Sequence, residues 1–513
     1  MLAENPSGLL ISIGAPEWTY IALDIAPFAL LGCLVWLAYS WRKRFQPAMF
    51  ITGLLGFGIH AGIVAAALVL LNQSSISAVT SFLRSHRDLG IWEDVGLVKF
   101  VEQIGVLPFL SYSQYIESTE RDNFLNYVPK APPPTKEEMA KSVGKYVDTG
   151  KLSAGQLPNI MIIHAESTFD LNDVLNLKSP VSSDLFYTYP KVKDDPKVNF
   201  RGALLANIIG GGSWVSEFEV LHGIDSRLFG VAGHYTHASL SIYSRNALPR
   251  YLAKRGYETS AYYPIGAKFY NAEKAFRLYG FQNFQSNVGT GDDDTTIMAG
   301  ALKDIGKGGP FMKFVELLEN HAPHWCDESK AQSYENVEVV GDPTENHKCA
   351  LKEYVRRLRT TEKAVKMAQD YLESEQARTG RPYVIAIYGD HQPYSFTGGG
   401  ERRSNMGLDF DAFRKDLTKR KAILEFISSK ENPFTCCWNE VVPIAMVPSM
   451  LSAYVASSPS ELYLPENFYQ LDHCGSDWIG HLSGTTYYGR WIEESQKVCA
   501  SYDTIVEIGR AHV

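Results

Sequence analysis

Three long apolar runs in this sequence each end abruptly in polar side chains that can bind a metal. The runs and the residues that follow them are 159–165 before Glu166, 311–318 before Glu319, Asn320 and His321, and 382–388 before Gly389, Asp390 and His391. Apolar runs of this length are typical of strands buried on both faces of a parallel sheet. Ligands of such sheets bind where the carboxyl ends of the strands meet. The runs therefore predict an α/β fold with a polar site at one edge of the sheet.

Further segments between and after these runs fit the same class. Residues 248–255 and 354–375 show the spacing of helices, whereas 258–263 and 441–447 have the pattern of short buried strands. Strands that alternate with helices in this way usually enter one sheet and are covered by the helices. The sequence therefore predicts a mostly parallel sheet flanked by helices.

A run of three glycines, Gly210 to Gly212, precedes Ser213 at a predicted junction between a strand and a helix. The glycines allow a sharp turn and a close approach to a ligand, and the first amides of a helix attract an anion. A serine hydroxyl in this place becomes a nucleophile when a metal or a base lies beside it. The alternative is an ordinary glycine-rich turn in which Ser213 only caps the helix.

The polar strand ends and the serine together form a candidate metal site. Glu166 and Asp390 supply carboxylates, His391 an imidazole and Ser213 a hydroxyl oxygen. Zinc accepts such a set, and manganese or magnesium suit its oxygen content. A bound cation lowers the pKa of a coordinated hydroxyl and stabilises charge on a phosphoryl group. Each residue alone also has a structural explanation, such as an ion pair at a strand end or a turn before Pro393.

Two apolar stretches near the start of the chain are long enough to cross a bilayer. Residues 18–40 and 49–71 each have the composition of a transmembrane helix. The loop between them carries Arg42, Lys43 and Arg44, and the positive-inside rule places this loop in the cytoplasm. We therefore expect a multi-pass protein of the cytoplasmic (inner) membrane, with its catalytic domain on the periplasmic or extracellular side.

This topology divides the chain into three parts. They are a membrane anchor at 1–75, juxtamembrane helices and a linker at 76–155, and an extracytoplasmic domain at 156–513. Apolar residues between 97 and 107 recur at near-helical spacing, so this segment lies either on the membrane surface or on the soluble domain. A proline-rich stretch at 129–135 is typical of an extended linker.

Cysteine usage indicates the compartment of the protein, and the net charge bears on the class of partner that it binds. Six of the seven cysteines follow the predicted export point, which favours disulfides in an oxidising compartment. Cys326 and Cys349 are near enough in sequence to pair, and the other pairings stay open. A net charge of −8 over 513 residues gives no electrostatic reason to expect nucleic acid as a partner.

Five motifs stand in a characteristic order and spacing. They are PNIMIIHAESTFD from Pro158, GGGSWVSEFEVLHGI from Gly210, the segment 248–284, ENHAPH from Glu319 and IYGDHQPY from Ile387. Together they resemble the lipoteichoic acid synthase and phosphoglycerol transferase family of the alkaline phosphatase and sulfatase superfamily. The resemblance implies an alkaline-phosphatase-like fold, preceded here by the two transmembrane helices, and the activity of a phosphotransferase.

The resemblance also implies roles for individual residues. Glu166, Asp390 and His391 match the metal ligands of the family, and Ser213 matches its metal-bound nucleophile, which is a threonine in the synthases. His321 matches a histidine that contacts the substrate phosphate. Phe269, Tyr270 and Asn271 fall in the segment that binds glycerol phosphate. The implied cofactor is one divalent metal ion, with Mn²⁺ expected and Mg²⁺ or Zn²⁺ as alternatives.

The sequence departs from its relatives in several places. Ala272 stands where the synthases have an arginine. A guanidinium that donates two parallel hydrogen bonds to the phosphate is therefore missing, or another residue of the chain supplies it. The two-span anchor is shorter than that of the synthases, which favours a periplasmic glycan-modifying enzyme. Residues 213–217 lack the proline and arginine of the C/S-x-P-x-R motif that sulfatases convert to formylglycine. Classical alkaline phosphatases need ligands for a second metal, and the sequence offers no convincing second set, since only Asp472 and His473 could contribute to one.

We therefore expect a metal-dependent phosphoglycerol transferase. It would move glycerophosphate from phosphatidylglycerol to a periplasmic glucan or another envelope glycan through a phospho-serine intermediate. The acceptor and the head group stay open at this point. The alternatives are a phosphoethanolamine transferase on the same scaffold and a non-catalytic envelope protein that retains the fold.

Overall fold

The computed structural model describes residues 134–475, apart from 153–154, 189–194, 228, 230–232, 234, 290–292, 304–307, 326, 342–344, 394–418 and 436–440. The two predicted membrane spans and the segment between 97 and 107 lie outside these residues. No helix in the described ranges combines the length and the apolar character that crossing a bilayer requires. Cys349 and Cys474 are both disulfide-bonded, in line with the cysteine usage. Cys326 lies outside the described residues.

A single sheet forms the centre of the described chain. Its strands are β1 Asn159–Ala165, β2 Val198–Leu205, β3 Glu258–Tyr262, β4 Asn283–Gln285, β5 Phe311–Leu317, β6 Tyr383–Gly389, β7 Lys421–Ser428 and β8 Val441–Pro443. They are arranged in the order β4-β3-β5-β1-β6-β7-β2-β8. β7 runs antiparallel to both of its neighbours, and the other neighbouring pairs are parallel. The predicted α/β class with a mostly parallel sheet is confirmed.

The three apolar runs form the middle of this sheet. β1 lies between β5 and β6, and Ala165 is in register with Leu317 on one side and Gly389 on the other. Every residue of the three strands is buried, as continuous apolar runs predict. Because the three strands are parallel, they end at the same edge of the sheet. Glu166 and Asp390 follow directly at that edge.

Helices cover both faces of the sheet. They are α1 Lys136–Tyr146, α2 Leu171–Val174, α3 Ser213–His222, α4 Thr236–Ser239, α5 Leu248–Ala253, α6 Ala272–Tyr279, α7 Asp294–Leu302, α8 Glu345–Thr379, α9 Val447–Ser452 and α10 Glu466–Cys474. Alternate side chains of a strand point to opposite faces. Ile160 and Ile162 of β1 therefore join one apolar cluster, and Met161 and Ile163 join the other.

The observed elements differ from the predicted ones in two places. The predicted strand at 441–447 is wrong beyond its first three residues, because residues 444–446 form a 3₁₀ turn and α9 begins at Val447. Pro448 lies in the first turn of α9, where its missing amide hydrogen costs nothing. The helix predicted at 354–375 extends in both directions to form the 35 residues of α8.

Helix α1 packs against α10 at the other end of the described chain. Ser142 donates to Asp472 Oδ2 at 2.9 Å, and Lys145 pairs with Asp472 Oδ1. Val143 and Tyr146 belong to the same apolar cluster as Ile160. The folded unit therefore includes α1, which precedes the predicted boundary at 155. Asp472 is occupied in this helix contact rather than at the polar edge of the sheet.

Candidate metal centre

The glycine turn before α3 brings the hydroxyl of Ser213 to the end of β1. Gly210, Gly211 and Gly212 have φ angles of 65°, 143° and 88°, which residues with a Cβ rarely adopt. Gly212 is the N-cap of α3 and Ser213 is its first residue. The interpretation of Ser213 as a simple helix cap is therefore wrong. Its hydroxyl donates instead to Glu166 Oε2 at 3.0 Å.

Asp390 and His391 reach the same point from the end of β6. His391 Nε2 lies 3.1 Å from Asp390 Oδ2 and 3.6 Å from Glu166 Oε1. Ser216 of α3 donates to the carbonyl of Asp390 at 2.9 Å, which fastens the helix to the tip of β6. The structure thus brings together the four predicted ligands from three elements. Their role as metal ligands stays a prediction.

Two atoms of this group are buried without a hydrogen-bond partner, namely Asp390 Oδ2 and His391 Nε2. The other acceptor and donor positions are occupied. The amides of Ser167 and His391 donate to Asp390 Oδ1 at 2.8 and 2.9 Å, and His391 Nδ1 donates to the carbonyl of Gln392 at 2.9 Å. A nitrogen and an oxygen lone pair that face each other in a buried site are unfavourable unless a cation lies between them. The residues present therefore fit a divalent metal ion.

The surroundings favour an ionised Asp390. Burial alone would raise the pKa of this carboxyl, but the imidazoles of His391 and His164 and the Ser167 amide hold its pKa well below the usual range. Burial alone would also lower the pKa of His164, but the carboxylates of Asp390 and Glu217 raise that pKa to about 8. An anionic carboxylate is the form that binds a cation.

A cavity of about 750 Å³ contains two of the predicted substrate-binding residues. His321 and Phe269 line it together with Lys330, Arg356 and Arg357. Asp293, Glu319 and Glu353 also line it, and the two arginines form ion pairs with these glutamates. Among the described residues, none of the four predicted ligands lines this cavity. The cavity reaches the neighbourhood of Ser213 through Phe269, because Phe269 packs on Tyr270 and Tyr270 stacks on Trp214.

The predicted glycerol-phosphate segment lies against the helix of Ser213. Tyr270 and Asn271 have φ angles of 43° and 63° in the left-handed region, which is strained for a tyrosine and better tolerated by an asparagine. The ring of Tyr270 stacks on Trp214, the residue after Ser213. Asn271 Nδ2 donates to the carbonyl of His237 at 3.2 Å, so this amide holds α4. The role of the segment in substrate binding stays a prediction.

Three buried ligand-type residues next to the site were missed by the sequence analysis. His164 of β1, Glu217 of α3 and Glu316 of β5 form a group whose ligand atoms all lie within 4.8 Å of one another. Burial, and then the neighbouring Glu217 carboxylate, raise the pKa of Glu316 well above its usual value. A signal was present, because His164 and Glu316 interrupt apolar runs and such polar positions in buried strands need partners. The register of β1 and β5 places the two residues side by side.

Part of the chain is similar to known proteins. The sulfatase family model matches residues 158–411. A Rhizobium meliloti (strain 1021) protein assigned provisionally to cyclic beta-1,2-glucan modification is 25% identical over 232 residues. These residues make up 41% of this chain and 35% of that protein. The chain thus matches about a third of the length of this curated relative.

Two solved structures are similar to the chain. The Streptococcus pyogenes phosphoglycerol transferase GacH in complex with sn-glycerol-1-phosphate is 15% identical with a TM-score of 0.44, over 77% of this chain and 92% of that one. The lipoteichoic acid synthase LtaP from Listeria monocytogenes is 15% identical with a TM-score of 0.42, over 63% of this chain and 78% of that one.

Proposed function

We propose that this protein, whose residues 158–411 belong to the sulfatase family, is a metal-dependent phosphoglycerol transferase. It moves glycerophosphate from phosphatidylglycerol to an extracytoplasmic glycan through a phospho-serine intermediate. The matched residues include Glu166, Ser213, Asp390 and His391, so the family match contains all four predicted ligands. The match also confirms the predicted relation to the sulfatase superfamily.

One observation carries the proposal. The Ser213 hydroxyl lies 3.0 Å from Glu166 in a group that includes two unpartnered, buried atoms of Asp390 and His391. Ser213 is also the first residue of α3, so the positive end of the helix dipole faces the same space. A nucleophilic oxygen, a cation site and a helix N-terminus at one point suit attack on an anionic phosphodiester.

The reaction proceeds in two displacements at phosphorus. The Ser213 oxygen forms a bond to the phosphorus of phosphatidylglycerol, the bond from phosphorus to the diacylglycerol oxygen breaks, and the serine proton ends on diacylglycerol. A hydroxyl of the acceptor then attacks the same phosphorus, the bond to Ser213 breaks, and the acceptor proton returns to the serine. His321 steadies the phosphate oxygens or passes a proton between the reacting groups.

Glu166, Ser213, Asp390 and His391 would hold the metal ion. When bound there, a divalent cation lowers the pKa of the serine hydroxyl and screens the charge of the phosphate. We propose Mn²⁺, with Mg²⁺ or Zn²⁺ as alternatives, because the set has three oxygen ligands and one imidazole. The hydrogen bond from Ser216 to the Asp390 carbonyl keeps the nucleophile helix in register with these ligands.

The lipid donor, the glycan acceptor and the location of the protein are supported by the sequence and by a relative, and not by the geometry of the site. The predicted two-span anchor keeps the site beside its lipid donor, on the periplasmic or extracellular side of the cytoplasmic membrane. The assignment of the Rhizobium meliloti relative to cyclic beta-1,2-glucan modification supports a glucan or another envelope glycan as acceptor. The net charge of −8 gives no support for a nucleic-acid partner.

The test uses the purified full-length chain, Mn²⁺ and vesicles. One set of vesicles contains phosphatidylglycerol labelled in its head-group glycerol, and the other contains phosphatidylethanolamine labelled in its ethanolamine. We expect diacylglycerol to be released from phosphatidylglycerol alone, with label on the wild-type protein and none on Ser213→Ala. Mass spectrometry of envelope glycans with and without the protein then identifies the acceptor as the glycan that loses glycerophosphate.

The other outcomes identify the alternatives. Release from phosphatidylethanolamine alone would make the protein a phosphoethanolamine transferase with the same site. A lack of release from either lipid, in a protein that has bound its metal, would contradict both transferases. That result would favour the non-catalytic envelope protein.

A further inference from the structure

Behind the candidate metal centre lies a second group of ligand-type side chains, which we name the inner cluster. It consists of His164, Glu217 and Glu316. His164 and Glu316 are partners in register on β1 and β5, and Glu217 lies one turn after Ser213 in α3. All three side chains are at most 2% exposed. Three separate elements of the fold therefore deliver ligand-type atoms to one buried point.

The inner cluster contains polar atoms that nothing in the described chain satisfies. His164 Nδ1, Glu217 Oε2 and Glu316 Oε2 are buried without a hydrogen-bond partner. The ion-pair contacts of Glu217 within the described residues come from His164 and His237, and neither a lysine nor an arginine takes part. Buried carboxylates and imidazoles without partners are costly. A divalent cation in place of shared protons would give these atoms a partner.

The spacing of the atoms indicates what that occupant is. His164 Nδ1 lies 3.7 Å from Glu217 Oε1, which is too far for a hydrogen bond. Two ligands that each bind one cation at about 2.1 Å are separated by about 3.0–3.6 Å. The two atoms thus lie near the distance expected for ligands of one ion. A small inward movement of either side chain completes the contact.

The other ring nitrogen of His164 supports the same arrangement. Nε2 lies 3.2 Å from Asp390 Oδ2, although neither atom makes a hydrogen bond in this arrangement, so a small turn of a deprotonated ring would direct Nε2–H to that carboxylate and the Nδ1 lone pair to Glu217. Metal-binding histidines usually direct their second nitrogen to a carboxylate in this way. His237 Nε2 lies 3.0 Å from Glu217 Oε2 and helps to orient that side chain.

We propose that His164, Glu217 and Glu316 bind a second divalent cation beneath the helix that carries Ser213. One imidazole and two carboxylates suit Zn²⁺ or Mn²⁺. The ion would tie α3 to β1 and β5, and through His164 it would orient Asp390 of the first site. The three residues act as positioning residues, because they are buried and would act through Ser213 on the same helix and through Asp390.

Metal stoichiometry tests this proposal. The purified full-length chain is stripped with a chelator, loaded with Zn²⁺ or Mn²⁺ alone, desalted and measured by inductively coupled plasma mass spectrometry. We expect about two ions per wild-type chain and about one in Glu217→Gln and in Glu316→Gln. Glu166→Gln should also retain about one, held by the inner cluster. The combination of Glu166→Gln with Glu316→Gln should retain none.

Glu219→Gln is the matched control. Glu219 is completely buried in the same helix, but its Oε1 accepts from Asn207 and from the Ser226 amide, and the residue does not belong to the inner cluster. We expect this variant to keep about two ions. One ion in the wild type, unchanged by Glu316→Gln, would overturn the proposal and leave a cluster held by shared protons.

A second measurement does not depend on the folding of any variant. Crystals of the wild-type chain soaked in Zn²⁺ should show anomalous scattering at the zinc edge between His164 and Glu217, in addition to a peak at Glu166, Asp390 and His391. Absence of the inner peak at full occupancy of the outer one would contradict the proposal. These readouts are independent of lipid chemistry. A chain that binds two ions but cleaves no lipid would contradict only the proposed function.

Discussion

The indole ring of Trp214 stacks on the phenol ring of Tyr270, with the ring centroids 3.6 Å apart and the planes 21° from parallel. Trp214 directly follows Ser213, whereas Tyr270 belongs to the predicted glycerol-phosphate segment. The rings of Phe269 and Tyr270 pack edge to face with their centroids 4.7 Å apart, and Phe269 also lines the cavity that contains His321. The stack therefore connects the helix of the proposed nucleophile with the cavity.

Removal of this stack should impair the use of the lipid donor. Stacked aromatic pairs contribute about 0.5–1.5 kcal/mol, so we expect Tyr270→Ala to lower kcat/KM about threefold to tenfold. Tyr270→Phe keeps the ring and should keep the activity. Initial rates of diacylglycerol release from phosphatidylglycerol measure both variants. An equal loss in the two would mean that the hydroxyl, and not the stack, is what matters.

The hydroxyl of Ser213 should be indispensable. Ser213→Ala removes the only oxygen of that side chain, and we expect kcat to fall by at least about a thousandfold while the protein stays folded. Ser213→Thr retains a hydroxyl and should keep measurable activity. Product release and thermal denaturation are measured in parallel. Activity of Ser213→Ala close to that of the wild type would rule out the covalent mechanism.

The carboxylate of Asp390 should determine metal binding at the first site. Its unpartnered Oδ2 faces His391 Nε2, and Asp390→Asn replaces an anionic ligand with a neutral one. We expect the affinity for Mn²⁺ to fall by at least about tenfold to a hundredfold, measured by calorimetry on the stripped protein. Asp472→Asn serves as the control, because Asp472 binds Ser142 and Lys145 instead. A loss in both variants would point to a general effect on folding.

Arg357 should hold the loop that carries His321. Its guanidinium donates to the carbonyls of Glu319, His321 and Pro323 at 3.0, 2.9 and 3.1 Å. A lysine cannot span three carbonyls, so Arg357→Lys should speed amide hydrogen exchange across residues 319–323 and raise KM about fivefold. Arg359→Lys is the control on the same helix, where the arginine pairs with Glu335 and Glu362. Unchanged exchange in Arg357→Lys would contradict this role.

His324 should make the fold sensitive to mild acid. Its Nε2 donates to the carbonyl of Asn320 at 3.0 Å, and burial together with the charge of Arg357 lowers its pKa to about 3. The unfolded chain binds a proton near pH 6.5 and the folded chain only near pH 3. The free energy of unfolding therefore falls as the pH drops from 6.5 towards 3, by up to about 1.4 kcal/mol per pH unit.

Denaturation of the wild type and of His324→Gln across this pH range measures the effect. His324→Gln cannot take up the proton, so its free energy of unfolding should fall less steeply. Above pH 6.5 the imidazole is neutral in both states, and the two slopes should agree. Identical slopes below pH 6.5 would contradict the prediction.

The central strands were predictable from the sequence, and so was the choice of Glu166, Ser213, Asp390 and His391 as the candidate site residues that the structure brings together. Residues 159–165, 311–317 and 383–389 are continuous apolar runs, and burial on both faces of a sheet is what such runs require. Parallel strands end at one edge, so both Glu166 and Asp390 were expected at that edge, and the pairing of β1 with β6 then places them side by side. The glycines before Ser213 likewise indicated a turn that few other residues can adopt.

Other features depended on contacts between distant parts of the chain. Whether Ser213 caps its helix or reaches Glu166, whether α1 packs on α10, and where the strand after Val441 ends are decided by neighbours that local patterns do not describe. The inner cluster shows this dependence on distant contacts most clearly. His164 and Glu316 look like isolated polar residues in apolar runs until the strand order places β1 beside β5.

The sequence by itself determined which side chains bear chemistry and which segments must be buried, because residue type and hydrophobic period act locally. Only the tertiary structure decided which of those side chains share one site. Ser213 Oγ lies 3.0 Å from Glu166 Oε2, and His164 Nδ1 lies 3.7 Å from Glu217 Oε1. These distances result from the register of the strands and the placement of α3. Both are set by packing between elements that lie far apart in the chain.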